Sequence, residues 1–506
     1  MAHDTHDTEE TSLLRHHHDE ALSGVERTLR QRLMIAGQCT TVLLLVVLTM
    51  SISSTPMLEI MEGIICRSLH PDVDGTLNHP VCKGADVQSE FAQLQGWVTP
   101  FALVPGLVTA MPYGAMADKH GRRLVLCLAI SGLVVAQILE IATCWFSDTI
   151  PIRLICLAGL ATFVGGGPMV INAMIFTMVG DVFTADQRLA DPVPYEYYNG
   201  SWKNRTTAFF YLGASMTVVE LISGPLTYLL MKRGDWFCVF TGLAGLCLAN
   251  ILALLLPESR DANTLRKHKP TSRQPESHQQ QTGSGFFDLL SKLPNATATC
   301  IMAATNFVSN NVHSTLLLVG VAFGTLGQDV IILLQQYMTK RFGLSWARAS
   351  LLLSIKGVAA LAVTTTILPL TSQLLLRKLS LSPIHKDLWM ARASATFLLL
   401  GAFCLGLAPT LETFLSSLVI FTVGIGYNLI LRSLIASYAK DDKTGLMFTA
   451  ICVSEGLGGL IAGPIMAMLF RVGLNLGRAW IGLPFLFAGL LFSTSTLIVF
   501  LVPVTS

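Results

Sequence analysis

The residues able to do chemistry in this chain are the few charged ones set inside long apolar stretches. Lys356 stands about nine residues, or about 14 Å, into one stretch, and Glu455 about ten residues into another. Glu220 lies in a third, Asp329 with Gln328 beside it in a fourth, and Glu59 and Glu62, three apart, share a helix face at the end of the first. In hydrocarbon each such charge costs at least about 2.5 to 3.5 kcal/mol on insertion scales, so it is kept where it is paired or wetted and marks a substrate or ion pathway. A buried carboxylate that exchanges a lysine partner for a proton or an anionic substrate would couple charge to a change of shape. The competing reading is a static ion pair that fixes helix packing. For Asp329, Glu59 and Glu62 it is solvation near the outer membrane surface.

The elements that must position these groups are membrane helices. Of 506 residues, 52% are hydrophobic and 13% charged, and the mean hydropathy is +0.57. A soluble chain carries about a quarter charged residues, so the main solvent of this one is lipid. Apolar runs recur over approximately 34–58, 92–117, 123–146, 153–182, 206–231 and 235–256, and again over 312–338, 347–371, 391–408, 412–437, 445–470 and 478–503. Each is long enough to cross a bilayer. The pattern predicts an all-α integral membrane protein of about twelve spans in two six-helix halves, residues 34–257 and 298–506. Residues 1–33 read as a disordered cytosolic tail, without the apolar core of a signal peptide. Residues 258–297 read as a cytosolic linker, whose Gln, Ser, Pro and basic residues bury too little to fold.

Orientation follows from charge. With twelve crossings, 23 of the 34 Lys and Arg fall on the side of the N-terminus and 10 opposite, with Lys356 inside a span, which puts both termini and the linker in the cytosol. The plasma membrane is the expected destination. Glu9 followed by Leu13-Leu14 fits an acidic dileucine sorting string and leaves a vacuolar or endosomal membrane open. Most of the eleven cysteines fall in or beside apolar runs and show no metal-ligand spacing; Cys66 and Cys82 share one polar loop on the outer side, where a disulfide could persist. No metal or other cofactor is expected. The basic residues are too dispersed for nucleic acid, no Gly-Lys-Ser/Thr loop offers an ATP site, and no nucleophile, base and orienter assemble into an enzyme site. The expected partners are a small-molecule substrate, with proton coupling open, and the lipid bilayer, around a monomer.

The string G-A-M-A-D-K-H-G-R-R between the second and third spans is the strongest local signal. Its glycines permit a tight turn, its carboxylate can sit against a helix end, and its arginines can form charge-assisted bonds across the inner face. Gly114, Asp118, Gly121, Arg122 and Arg123 match the loop signature of the major facilitator superfamily, which this chain resembles over nearly its whole length in topology. The resemblance implies alternating access, with this motif as a cytosolic latch joined by an acidic residue at the end of the fourth helix, here Asp181. It also sets the fifth and eighth spans across the interface between halves, which makes Glu220 a candidate partner for Lys356 and leaves Glu455 as the rival. Both acids precede a Gly-Pro, Gly224-Pro225 and Gly463-Pro464, expected kinks of equivalent helices. The loop between the eighth and ninth spans lacks the signature, and the fifth span lacks the spaced glycines of the family's drug/proton antiporters.

Similarity is strongest to transporters of filamentous fungi and fainter to the proton-coupled folate transporter group. The expected function is export of a metabolite or toxic compound by a secondary transporter, the alternative being proton-coupled import of an organic anion or nutrient. In such relatives the fourth and fifth helices connect directly. Deleting residues 189–205 would restore T-A-D-Q-R-T-T-A-F-F, which suggests a retained intron.

Overall fold

The computed structural model describes residues 6–71, 80–184, 205–257, 312–378, 380, 382–438 and 444–501. For 6–33, 118, 180–184, 205–211, 312–314, 383, 436–438, 444–450, 452 and 453 it describes the backbone alone. Among the described residues twelve helices are long and apolar enough to cross a membrane. A bilayer core offers no hydrogen-bond partner, so a spanning segment must satisfy its own backbone, and each apolar run does so as helix. The first half holds α1 (Met34–Leu69), α2 (Ala85–Ala117), α3 (Arg122–Trp145), α4 (Ile152–Val179), α5 (Leu212–Met231) and α6 (Asp235–Leu254). The second holds α7 (Thr315–Phe342), α8 (Trp346–Arg377), α9 (Ile384–Leu407), α10 (Leu411–Ile435), α11 (Ser454–Leu476) and α12 (Arg478–Leu501). Below, "outer" denotes the end carrying the α1–α2 connection, following the charge count.

Two differences from the sequence reading lie in the first helix. The backbone is helical from His6, so residues taken for an unstructured tail continue α1 without a break; they hold no proline, and Glu, Leu, Ala and Arg are good helix formers. At the other end α1 reaches Leu69 rather than residue 58, which carries Glu59 and Glu62 inside the helix. The polar segment 258–297 and the 189–205 insertion, expected as linker and retained intron, lie outside the described residues.

Helices α4 and α7 are interrupted. In α4 the chain opens at Val164 and turns through Gly165, Gly166 and Gly167, all with positive φ. Glycine is required here: a Cβ on Gly165 would run into the α3 backbone at Ala129. The opened backbone is partly recaptured, with the Tyr113 hydroxyl donating to the Phe163 carbonyl at 2.9 Å and the Gly166 N–H donating to the Thr162 carbonyl at 2.9 Å. In α7 a tight turn spans Asp329–Leu333.

The halves meet along two helix pairs, α2 with α11 and α5 with α8. Each crossing is set by a glycine from the Gly-Pro pairs. A Cβ on Gly224 would lie 2.6 Å from the Ser350 carbonyl oxygen of α8, and one on Gly463 would overlap the Gly96 carbonyl of α2. Small residues let the backbones approach this closely, as helix association in lipid favours. Pro225 and Pro464 remain inside continuous helices, so the glycine beside each serves the interface at least as much as a bend.

Candidate functional site

Among the sequence-predicted residues, Glu220 and Lys356 come together. Lys356 Nζ of α8 donates to Glu220 Oε1 of α5 at 2.6 Å, across the interface between halves. The lysine side chain is 14% exposed and the glutamate 48%, so the carboxylate keeps an open side while the ammonium is covered. A charge pair in this position joins the halves, and it can be opened from the glutamate side by a proton or a competing ion.

Glu455, the rival partner, pairs elsewhere. Arg432 of α10 grips it with two bonds, Nε to Oε1 at 2.9 Å and Nη2 to Oε2 at 2.5 Å, a fork within the second half. Of the two carboxylates, Glu220 faces the other half and takes Lys356, while Glu455 faces its own neighbour. Arg432 lies near the inner end of its span, where a flanking positive charge is ordinary; its place inside an apolar run is the sequence signal that marks it. Asp329 opens the tight turn of α7 opposite Gly459 of α11, and it forms no hydrogen bond or ion pair with another described residue. Its neighbour Gln328 accepts from Asn428 at 3.1 Å.

At the inner end, Gly121 ends α2 and begins α3 with φ 101°, a backbone that demands glycine. Arg122 Nη1 donates to the Thr177 carbonyl of α4 at 2.9 Å. Gly114 has open space around its Cα. The side chains of Asp118 and Asp181, expected to complete the latch, lie outside the described residues, though both sit on helix backbone. Arg123 is engaged with neighbours as well.

The outer end holds a cluster whose acid the sequence reading had left to solvent. Glu62 is 1% exposed and receives Lys83 Nζ at 2.6 and 2.7 Å, Trp346 Nε1 at 2.6 Å and the Gln88 amide. Solvation is excluded because the lengthened α1 carries Glu62 under the connection to α2. Trp346 begins α8, so this carboxylate bridges the halves. Further bridges flank it: Gln336 Nε2 to the Gln88 carbonyl at 2.8 Å, Gln335 Nε2 to Thr55 Oγ1 at 2.9 Å, Gln95 Nε2 to the Ile332 carbonyl at 3.0 Å, and Lys340 to the Lys83 carbonyl. Glutamines spaced along α2 and α7 were the signal for this seam. Cys66 and Cys82 are joined by a disulfide with Cα atoms 5.1 Å apart. Cys66 lies within α1, so the bond ties the helix end to the turn bearing Lys83 and closes the polar connection between them, as the sequence suggested. By chain entropy a crosslink over 16 residues is worth about 3 kcal/mol. The outer side is thus closed by a buried, multiply bonded carboxylate.

Comparison with known proteins adds to this geometry. A family model described as Major Facilitator Superfamily matches residues 83–463. The chain is 28% identical over 463 residues to the MFS efflux pump atnC of Emericella nidulans, covering 89% of this chain and 84% of that one. It is 27% identical over 438 residues to the efflux pump ustT of Aspergillus flavus, covering 83% and 79%. Among solved structures it resembles the nucleoside transporter NupG, at TM-score 0.55 and 12% identity over 90% of this chain and 99% of that one. It also resembles a D-xylose-proton symporter, at TM-score 0.56 and 12% identity over 92% and 98%.

Proposed function

The chain belongs to the Major Facilitator Superfamily, and from that premise we propose that this secondary transporter exports a small organic molecule by alternating access. The Glu220–Lys356 pair carries the reading, because it is a charge contact between halves with one side open to exchange. In the state with the outer seam closed, the substrate or a proton displaces Lys356 from Glu220; the freed charges then favour the opposite arrangement, and release restores the pair. The motif from Gly114 to Arg123, with Asp181, is the inner counterpart of the outer seam. Asp329 and the Glu455–Arg432 fork serve coupling in the second half. Export is supported by the fungal relatives that are efflux pumps, and the plasma membrane is where such export would clear the cell.

The test compares cells bearing the wild type, Lys356→Ala and Asp118→Asn, at matched surface expression, for tolerance to a panel of toxic organic compounds and for their accumulation at two pH values. Wild-type cells should accumulate less of at least one compound, with the difference at least tenfold smaller in both variants. Acid-stimulated accumulation would replace export with import. Full activity in Lys356→Ala would leave the pair a structural contact.

A further inference from the structure

A cavity of about 460 Å³ lies within the first half, away from the Glu220–Lys356 pair: α1 to α4 line it together with Ile332 of α7, and neither α5 nor α8 contributes. Glu140 of α3 is its one charged lining residue among those described, and no Lys, Arg or His lines it. Glu140 stands near the outer end of its span, where sequence alone does not distinguish a solvated acid from one that faces a cavity. It forms no ion pair or hydrogen bond with another described residue. A carboxylate at membrane depth without a cation is costly, so the cavity lacks the charge that would complete it.

The neutral polar groups around it point the same way. Gln95 spends its amide nitrogen on the Ile332 carbonyl at 3.0 Å, which accepts only, so the orientation is fixed and Oε1 is left without a donor. Gln137, one turn before Glu140 and 4% exposed, gives its nitrogen to Ser53 Oγ at 2.8 Å and likewise has an unmatched Oε1. Two amide oxygens beside the cavity thus lack a donor. Beside the hydroxyls of Ser54, Thr99 and Thr162 the rest of the wall is mostly apolar or thioether, with Met57 and Met169 among it, surfaces that adapt to an organic body. The N-terminal end of the helix resuming at Gly167 also borders the cavity through Pro168, and would favour an anion. A helix end carries about half a charge, Pro168 removes one of its donors, and a full carboxylate charge outweighs it.

We infer that this cavity binds an organic ammonium, its head paired with Glu140 and its apolar body against the methionines. Because Gln95 lines the cavity and also bonds Ile332 in the other half, an occupant touches a residue of the outer seam. The site does not depend on the direction of transport.

The test uses the full chain purified in detergent, with hexylammonium and its neutral counterpart 1-hexanol as probes, by calorimetry. Hexylammonium should bind at least tenfold more tightly than hexanol, and Glu140→Gln should abolish that preference. Equal binding of the two probes in the wild type, or a preference unchanged in Glu140→Gln, overturns the proposal. Should Glu140→Gln fail to fold, modification of Glu140 by dicyclohexylcarbodiimide in the wild type, mapped by mass spectrometry, decides. Protection by hexylammonium and not by hexanol supports the site, and modification unaffected by either overturns it, leaving Glu140 neutralised by a proton. Binding of hexylammonium by a chain whose cells exclude no compound of the panel would leave the site standing and sink the export reading.

Discussion

Glu62 shows how a single acid can change role with a few residues of helix. As the end of a short span it would be hydrated; inside the longer α1 it collects donors from α1's own connection, from α2 and from α8. Hydrogen bonds to a charge contribute about 1.5 to 3 kcal/mol each, and removing the charge from a buried cluster leaves Lys83 uncompensated. Glu62→Gln should therefore shift the protein toward an open outer end. Hydrogen–deuterium exchange over residues 80–95 and 332–346 would quicken about tenfold or more, with the inner end of α2 unaffected. Unchanged exchange in both segments would mean that Glu62 does not hold the halves together. Lys356 and Glu220 were legible as charges in lipid, but their pairing was legible only through the resemblance that set the fifth and eighth spans together. Glu455 and Arg432 are the contrast: two residues from adjacent helices whose partnership depends on azimuths that spacing alone does not give.

Among the elements, the four interface helices depend on glycine at the crossing points. Gly463 and Gly96 bring the α11 and α2 backbones together, and a Cβ at Gly96 would lie 2.7 Å from the Gly463 carbonyl oxygen. Gly463→Val should cost about 1 to 3 kcal/mol through overpacking and lower the melting temperature, with loss of transport in proportion. Gly114→Ala provides the control. Nothing lies within 4 Å of its added Cβ in this state, so its melting temperature should stay within a degree or two of wild type, and any loss of transport would report a closer packing in the other state. A normal melting temperature for Gly463→Val would remove the crossing-point argument. The existence of the helices followed from apolar length alone. Their interruptions did not: the Gly165–Gly167 run was visible as letters, but that it opens α4 beside α3 depends on the Ala129 backbone pressing against it.

For the whole molecule, the two halves, their interface and the closed outer end describe one state of a transporter that must have at least two. The 189–205 segment bears on how the α4–α5 connection allows that exchange. Sequencing the cDNA should return a transcript without those codons, joining T-A-D-Q-R directly to T-T-A-F-F; a transcript encoding Tyr195 to Trp202 would make the segment a true loop.

By itself the sequence determined the solvent, the number of crossings, the division into two halves and the few residues that lipid makes expensive, because each follows from composition and from the length of apolar runs. The signature from Gly114 to Arg123 added the family, since five residues at fixed spacing are specific. Only the tertiary structure decided which charge meets which: Glu220 with Lys356, Glu455 with Arg432, Glu62 with Lys83 and Trp346, and Glu140 with none of the described residues. The physical reason is that hydropathy reports how deep a residue lies along a helix but not which way it faces. Rotation about the helix axis is set by packing, and in lipid it is packing that places a charge against a partner or leaves it in a cavity.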